Sequence, residues 1–328
     1  MTDAPIAVVA GPSGFIGTAL TAALAADGYD VRTIGRRAPA SWDDPASILR
    51  AVDGAELLVN LAGKSVNCRY TDANRNEILR SRVETTRLLR EAVAVAARPP
   101  RLWLNASTAT IYRHAMRRPN TESDGILGDG FSVDVATSWE REFFSGDLPG
   151  TRRVALRMAI VLGEGPATRT LLTLARLGLG GPQIDTWWPA TRRYRGIGPT
   201  PTGHGMAAWH RTRGHQKFSW VHIDDVIGAV RFLRDRDDIS GPVNIASPHP
   251  SDNRTLMREL RHVARRRIGL PAYRWMLEPA MWVLRTEPEL VLKSRWVLPE
   301  TLTAAGYSFA HPELRRALSA LSARARPS

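Results

Sequence analysis

A single cysteine, Cys68, stands in 328 residues, which excludes an intramolecular disulfide and fits a reducing compartment. No histidine is placed beside it by the sequence, so it reads as a small apolar filler near a loop rather than a nucleophile. No apolar run approaches the roughly 18 residues needed to span a bilayer, so no membrane is expected as a partner. The first residues carry Asp3 and no basic segment ahead of the apolar stretch, so no signal peptide is expected and the cytoplasm is the expected location. Lysine is almost missing too: Lys64, Lys217 and Lys293 are the three in the chain. The formal net charge of +13 is therefore carried by arginine, spread along the sequence. Arg265-Arg266-Arg267 and the group Arg315, Arg316, Arg324 and Arg326 are local clusters, but none lies in a helix-turn-helix, zinc or RNA-binding pattern. They read as solvated helix faces, and nucleic acid is not the expected partner.

What the chain does have is a glycine turn in a telling place. Val8-Val9-Ala10-Gly11-Pro12-Ser13-Gly14-Phe15-Ile16-Gly17 runs from an apolar strand through three glycines spaced G-x-x-G-x-x-G. Apolar positions at helical spacing follow, Ala19, Leu20, Ala23 and Leu24. A strand that enters a helix through such a turn leaves backbone N–H groups at the helix N-terminus, where the helix dipole favours an anion. Gly11 permits the tight turn, Gly14 lets a pyrophosphate approach, and Gly17 lets the helix lie close on the strand. Gly11, Ser13, Gly14, Phe15, Ile16 and Gly17 are thus the expected cofactor-binding turn. A second strand follows at residues 31–34, and the acid that would accept a ribose 2′-hydroxyl is lacking after it. Gly35-Arg36-Arg37 stands there instead, two guanidiniums suited to a 2′-phosphate, so NADP(H) is expected over NAD(H).

Apolar strand-like runs recur at 7–10, 31–34, 57–61, 102–106, 154–156 and 218–223, with helical stretches between them, notably 77–97 and 132–144. That alternation predicts an α/β fold, a doubly wound parallel sheet covered on both faces. Residues 184–215 break the rhythm, rich in Trp, Arg, Pro and Gly. Three readings stand open for this segment: aromatics and arginines stacking on a ring or base, a dimer interface, or a poorly ordered surface insertion.

Several stretches resemble the atypical extended short-chain dehydrogenase/reductases, in the epimerase-like group with a C-terminal domain of unknown function. They are GPSGFIG, VNLAGKSV, RNEILRSRVETTRLL, NASTATIY, LGLGGP, FSWVHIDDV, GPVNIASP and RWVLPETLTAAGYSFAHPELRRAL. The resemblance implies a seven-stranded parallel sheet of Rossmann type with a smaller C-terminal α/β lobe closing over the nicotinamide. The implied domains are a core at 1–165 to which 216–248 returns, a substrate-lobe segment at 166–215 holding the insertion 184–215, and a C-terminal domain at 249–328. Leu61, Ala62 and Gly63 correspond to the turn beside the adenine and its ribose. Thr108 falls where a Ser or Thr hydrogen-bonds a substrate oxygen, and a strand-end threonine bonding its own backbone is the plain alternative.

One departure matters. Active members of that superfamily use a tyrosine with a lysine four residues on, the lysine lowering the tyrosine pKa. Here the two positions, counted back from Trp139-Glu140, are Ser132 and Ala136, and no Tyr-x-x-x-Lys occurs in the chain. Tyr112 and His222 are the remaining candidates for proton movement, alongside Thr108. Tyr112 lacks an activating cation, and His222 stands at a strand end where a structural, hydrogen-bonded role is favoured over catalysis; Asp225 reads as a helix cap. The leading expectation is an NADP(H)-binding oxidoreductase or epimerase-like protein acting by hydride transfer on a small carbonyl, alcohol or sugar-nucleotide-like substrate, with a homodimer possible and no metal. The rival is a non-catalytic NADP(H)-binding regulator or scaffold; RNA binding through the insertion is a weaker third.

Overall fold

The computed structural model describes residues 4–189, 191–203, 209–283 and 287–324. Strands and helices alternate through the first half: β1 (Ile6–Ala10), α1 (Phe15–Ala26), β2 (Asp30–Ile34), α2 (Pro45–Val52), β3 (Leu57–Asn60), α3 (Asp72–Val95), β4 (Leu102–Thr108), α4 (Phe131–Phe144) and β5 (Arg152–Met158). Then come β6 (Ile160–Leu162), α5 (Pro166–Arg176), β7 (Gln183–Ile184), β8 (Lys217–Phe218), β9 (Trp220–His222), α6 (Ile223–Arg234) and β10 (Gly241–Ile245). The C-terminal part holds β11 (Ser251–Asp252), α7 (Asn253–Val263), β12 (Ala272–Tyr273), α8 (Arg274–Val283), α9 (Glu289–Leu292), α10 (Glu300–Ala304) and α11 (Leu314–Arg324).

Period-two alternation within buried strands decides the layering. Ala7 and Val9 of β1 join a cluster with Leu20, Leu24, Val226 and Val230, from α1 and α6. Val8 and Ala10 point the other way, into a cluster with Ile48, Leu89, Trp103 and Phe143, bringing α2, α3 and α4. Both faces of the sheet are therefore covered, as a parallel sheet requires. Its order is β10-β5-β4-β3-β1-β2, a Rossmann-like arrangement that reverses direction at β1 and β3.

Two expectations need correction here. Among the described residues the sheet has six strands, not the seven implied by the resemblance. Residues 218–223 do not form one of them. They split at Ser219 into β8, which pairs with β11, and β9, which pairs with β6 in a separate parallel ribbon. Ser219 is the cause: its N–H donates to Arg295 and its Oγ accepts from Val297 N–H at 2.9 Å, so C-terminal chain occupies its hydrogen-bonding edge. The sixth strand is β10, whose Pro242 lies on the sheet's edge, where a missing N–H is tolerated.

The described parts of the 184–215 segment are tied down. Asp134 of α4 accepts from the N–H groups of Ile197 and Thr202, both at 2.8 Å. Arg75 of α3 donates to the carbonyls of Arg192, Arg195 and Gly196. Arg193 bridges to Glu278 at 2.8 Å and Glu287 at 3.1 Å, and Tyr194 joins the cluster of Tyr70, Ile78 and Phe131. Of the insertion's other aromatics, Trp187 is exposed and Trp209 half-buried.

Candidate active-site crevice

At the C-terminal ends of β1, β3 and β4 the sheet opens into a crevice of about 360 Å³. Gly11, Gly14, Phe15, Ile16 and Gly17 form one wall, with Leu61 and Thr108 also lining it. The three glycines differ in what they exclude. Gly11 has φ +82°, and a Cβ there would meet Ala62 N at 2.9 Å; at Gly17 a Cβ would meet the Gly11 carbonyl at 2.3 Å. Those two are needed for the turn itself. Gly14 has ordinary extended backbone, and a Cβ there would have the Gly11 carbonyl as its nearest neighbour at 3.7 Å, so the space beside it is open. Gly14 is also the N-cap of α1, with no side-chain cap and no acid in the first turn. The orphan N–H groups and the positive end of the dipole are left for an anion. A dinucleotide's pyrophosphate fits these donors and this gap.

The other cofactor candidates surround the turn. Ser13 is exposed at its tip, Ala62 packs behind Gly11, and Gly63 lies against the Arg82 guanidinium. Arg36 and Arg37 are exposed just past β2, and neither makes a hydrogen bond or ion pair among the described residues. The turn at 61–63 is held from beneath: Asn60 Oδ1 accepts from Ala62 N–H at 3.0 Å, and its amide donates to Asn105 and to Thr86, which also receives Trp139 Nε1.

Thr108 caps the short turn after β4, its Oγ1 accepting from Thr110 N–H at 3.1 Å, which leaves its own proton to donate. Ser132 and Ala136, in the places of the missing tyrosine and lysine, both line the crevice. Ser132 Oγ donates to Glu289 at 3.1 Å. Tyr112 was expected near the crevice; the structure corrects this. It is 2% exposed, its hydroxyl donates to Asn244 at 3.0 Å and accepts from Arg157 at 2.9 Å. Burial pushes its pKa up despite Arg157. His222 is likewise no crevice residue: 1% exposed, it caps α6 by accepting from Asp224 N–H and lies against the His311 ring. Asp225, expected as a cap, instead accepts from the N–H groups of Ala310 and His311 and so anchors the C-terminal chain.

The crevice floor holds a buried chain of polar contacts. Ser107 donates to Glu140, which is bidentate with Arg157 at 2.7 and 2.9 Å, and Arg157 meets Tyr112. The strand-end positions are thereby fixed against α4, a rigid support for Thr108. Sequence reasoning missed Arg82 of α3. It lines the crevice, donates to the carbonyls of Lys64 and Ile78, and lies over the Trp139 ring. Burial lowers its pKa to about 10.

Also missed was a second cavity, of about 390 Å³, built from loops and the C-terminal lobe. His114, Asp185, His210, Arg274, Glu289 and Lys293 are among its walls. Its partition from the crevice is thin: Lys293 Nζ donates to the carbonyl of Thr110, a crevice residue, and Glu289 takes the Ser132 hydroxyl. Asp185 pairs with Arg274 at 3.0 Å, both buried, and the His114 and His210 rings stack at 3.5 Å.

The chain is similar to known proteins along nearly its whole length. A model of the NAD dependent epimerase/dehydratase family matches residues 7–127, and one of a domain of unknown function, DUF1731, matches 274–321. Epimerase family protein SDR39U1 of Bos taurus is 33% identical over 324 residues, covering 95% of this chain and 97% of that one. The human protein of that name is 31% identical over 327 residues, covering 96% and 99%. The chain belongs to this epimerase family. A crystal structure of human SDR39U1 with NADPH superposes with a TM-score of 0.79 at 28% identity, covering 97% of this chain and 99% of that one. The fold is thus shared with short-chain dehydrogenase/reductase epimerases, and among the described residues no helix is long and apolar enough to cross a membrane.

Proposed function

We propose that this chain is an NADP(H)-dependent oxidoreductase or epimerase-like enzyme acting on a small carbonyl, alcohol or sugar-nucleotide-like substrate. The observation that carries the reading is one crevice joining a bare helix N-terminus, the gap at Gly14 and the donor hydroxyl of Thr108. The relative crystallised with NADPH supports the cofactor, and Arg36 with Arg37 supports the phosphorylated form. Bound there, the nicotinamide supplies or accepts hydride. The protein's part is to hold the pyrophosphate on α1, to clamp the 2′-phosphate at Arg36 and Arg37, and to direct the Thr108 proton at the substrate oxygen. That hydrogen bond strengthens as negative charge develops on the oxygen.

A second reading is favoured by one observation. Ser132 and Ala136 leave the crevice wall without the tyrosine and lysine that move the proton in active relatives of the superfamily. A non-catalytic NADP(H)-binding regulator would show that arrangement. The two separate by experiment: an enzyme given a panel of carbonyls, alcohols and sugar nucleotides either consumes NADPH fluorescence with the carbonyls, generates it from NADP+ with the alcohols, or converts the sugar nucleotides to an epimer seen by chromatography. No change of cofactor and no new epimer across the panel favours the regulator.

A further inference from the structure

Lys293 is the one lysine of three that lines a cavity wall next to the crevice, and its surroundings leave it short of acceptors. Among the described residues its ammonium makes one hydrogen bond, to the Thr110 carbonyl at 2.9 Å, and no carboxylate comes within ion-pair distance. The charged and titratable groups around it come from every side. Glu289 and Arg295 are near in sequence, Asp129 precedes α4, and His114 and His210 stack opposite. Burial and Arg295 pull its pKa down, against Glu289 and Asp129, to about 8. The residue is half-buried, and an ammonium with donors to spare on a cavity wall attracts an acceptor of opposite charge.

The neighbouring His114 adds a second donor to the same wall. His114 Nδ1 accepts from Ser294 N–H at 3.1 Å, which places the proton of the neutral ring on Nε2. Burial, with the nearby cations, pushes the His114 pKa down to about 3, so the ring is a donor without charge. Arg113 adds a guanidinium at the cavity rim. Three acids line the same space: Asp185 is engaged by Arg274 and by His210 N–H, Glu289 takes the Ser132 hydroxyl, and Asp129 is exposed to solvent, with no hydrogen bond or ion pair among the described residues.

We propose that this second cavity binds the anionic group, carboxylate or phosphate, of the substrate, with Lys293 as its counter-ion and His114 as a neutral second donor. The inference rests on the hydride-transfer reading for the word substrate; the anion site itself does not. An anion beside Lys293 raises the lysine's pKa, so binding is strong at neutral pH and is lost as pH rises through the bound-state value.

The test is calorimetric titration of inorganic phosphate and, separately, pyruvate into protein saturated with NADPH, so that the glycine turn is filled. Cofactor binding is measured first, and failure at that step counts against the cofactor reading alone. The expected result is saturable binding of at least one anion at pH 7, weakened about tenfold or more in Lys293→Met and weakened in the wild type above pH 9. Lys293→Arg keeps the site charged, so it should retain binding at pH 7 and lose the dependence on high pH. No saturable binding of either anion, equal affinity in Lys293→Met, or a wild-type pH profile in Lys293→Arg each overturns the proposal.

Discussion

The two cavities meet at Thr110 and Ser132, yet they are built in opposite ways. The crevice comes from three strand ends and the first turn of a helix, and its key wall is drawn from one short stretch of chain, Gly11, Gly14, Phe15, Ile16 and Gly17. The second cavity gathers side chains from residues 113 to 293, on loops and short helices far apart in sequence. The first offers a ligand mainly backbone, and the second offers charged and aromatic side chains. Backbone recognition demands glycine at fixed spacing and so leaves a mark in the sequence. Side-chain recognition by distant residues leaves none.

The largest expected effect breaks the first region alone. Gly14→Val should abolish NADPH binding while the fold persists, since a Cβ there meets nothing closer than 3.7 Å. Gly17→Val, by contrast, should unfold or distort the turn, because its Cβ would meet the Gly11 carbonyl at 2.3 Å. Thermal melts with and without saturating NADPH distinguish the two: a binder must gain stability with ligand. A Gly14→Val protein that still gains it contradicts the assignment of the turn.

Next in size is the chemistry at the strand end. Thr108→Ala should lower turnover by about 10²–10³, the usual cost of one donor to a developing oxyanion. Tyr112→Phe should leave most turnover and instead cost about 1–3 kcal/mol of stability, since Asn244 and Arg157 lose a buried partner. Steady-state kinetics and urea denaturation on both variants check this, and a dead Tyr112→Phe enzyme of normal stability would reverse the roles.

Much of the fold and the glycine turn was legible. Gly11, Gly14 and Gly17 lie in one wall, and the helix expected at 77–97 is present as α3, beginning earlier because Thr71 caps it by accepting from Asn74 N–H. The strand expected at 218–223 failed for a reason that no local pattern carries: Ser219 is bonded to Val297 and Arg295, nearly eighty residues on. Tyr112 was misplaced because adjacency to Thr108 in sequence says nothing of which way a turn sends the next side chain. Asn244 and Arg157, which hold it in the core, come from β10 and β5. Arg82 offered a signal, lying in a quoted motif, but an arginine among so many is not distinguished until its burial against Trp139 is seen.

A smaller effect sharpens the second region. The folded-state pKa of Lys293 is lowered to about 8 from an ordinary 10.5, so between those values the unfolded chain holds more protons than the folded one. Stability from this group therefore rises with pH across that window and is lowest below it. Lys293→Met should be the more stable protein at pH 7 without ligand, and the difference should shrink as pH approaches 10. Urea denaturation at both pH values checks the sign; a constant difference would mean that the lysine is not desolvated.

The central claim is that the crevice takes a dinucleotide at Gly14 and selects its 2′-phosphate with Arg36 and Arg37. Calorimetric titration of NADPH and NADH into the wild type and Arg36→Ala tests it most directly. The account predicts tighter binding of NADPH by the wild type, with the preference reduced about tenfold or more in Arg36→Ala as one charge-assisted contact is lost. Equal affinity of the wild type for the two cofactors would contradict it.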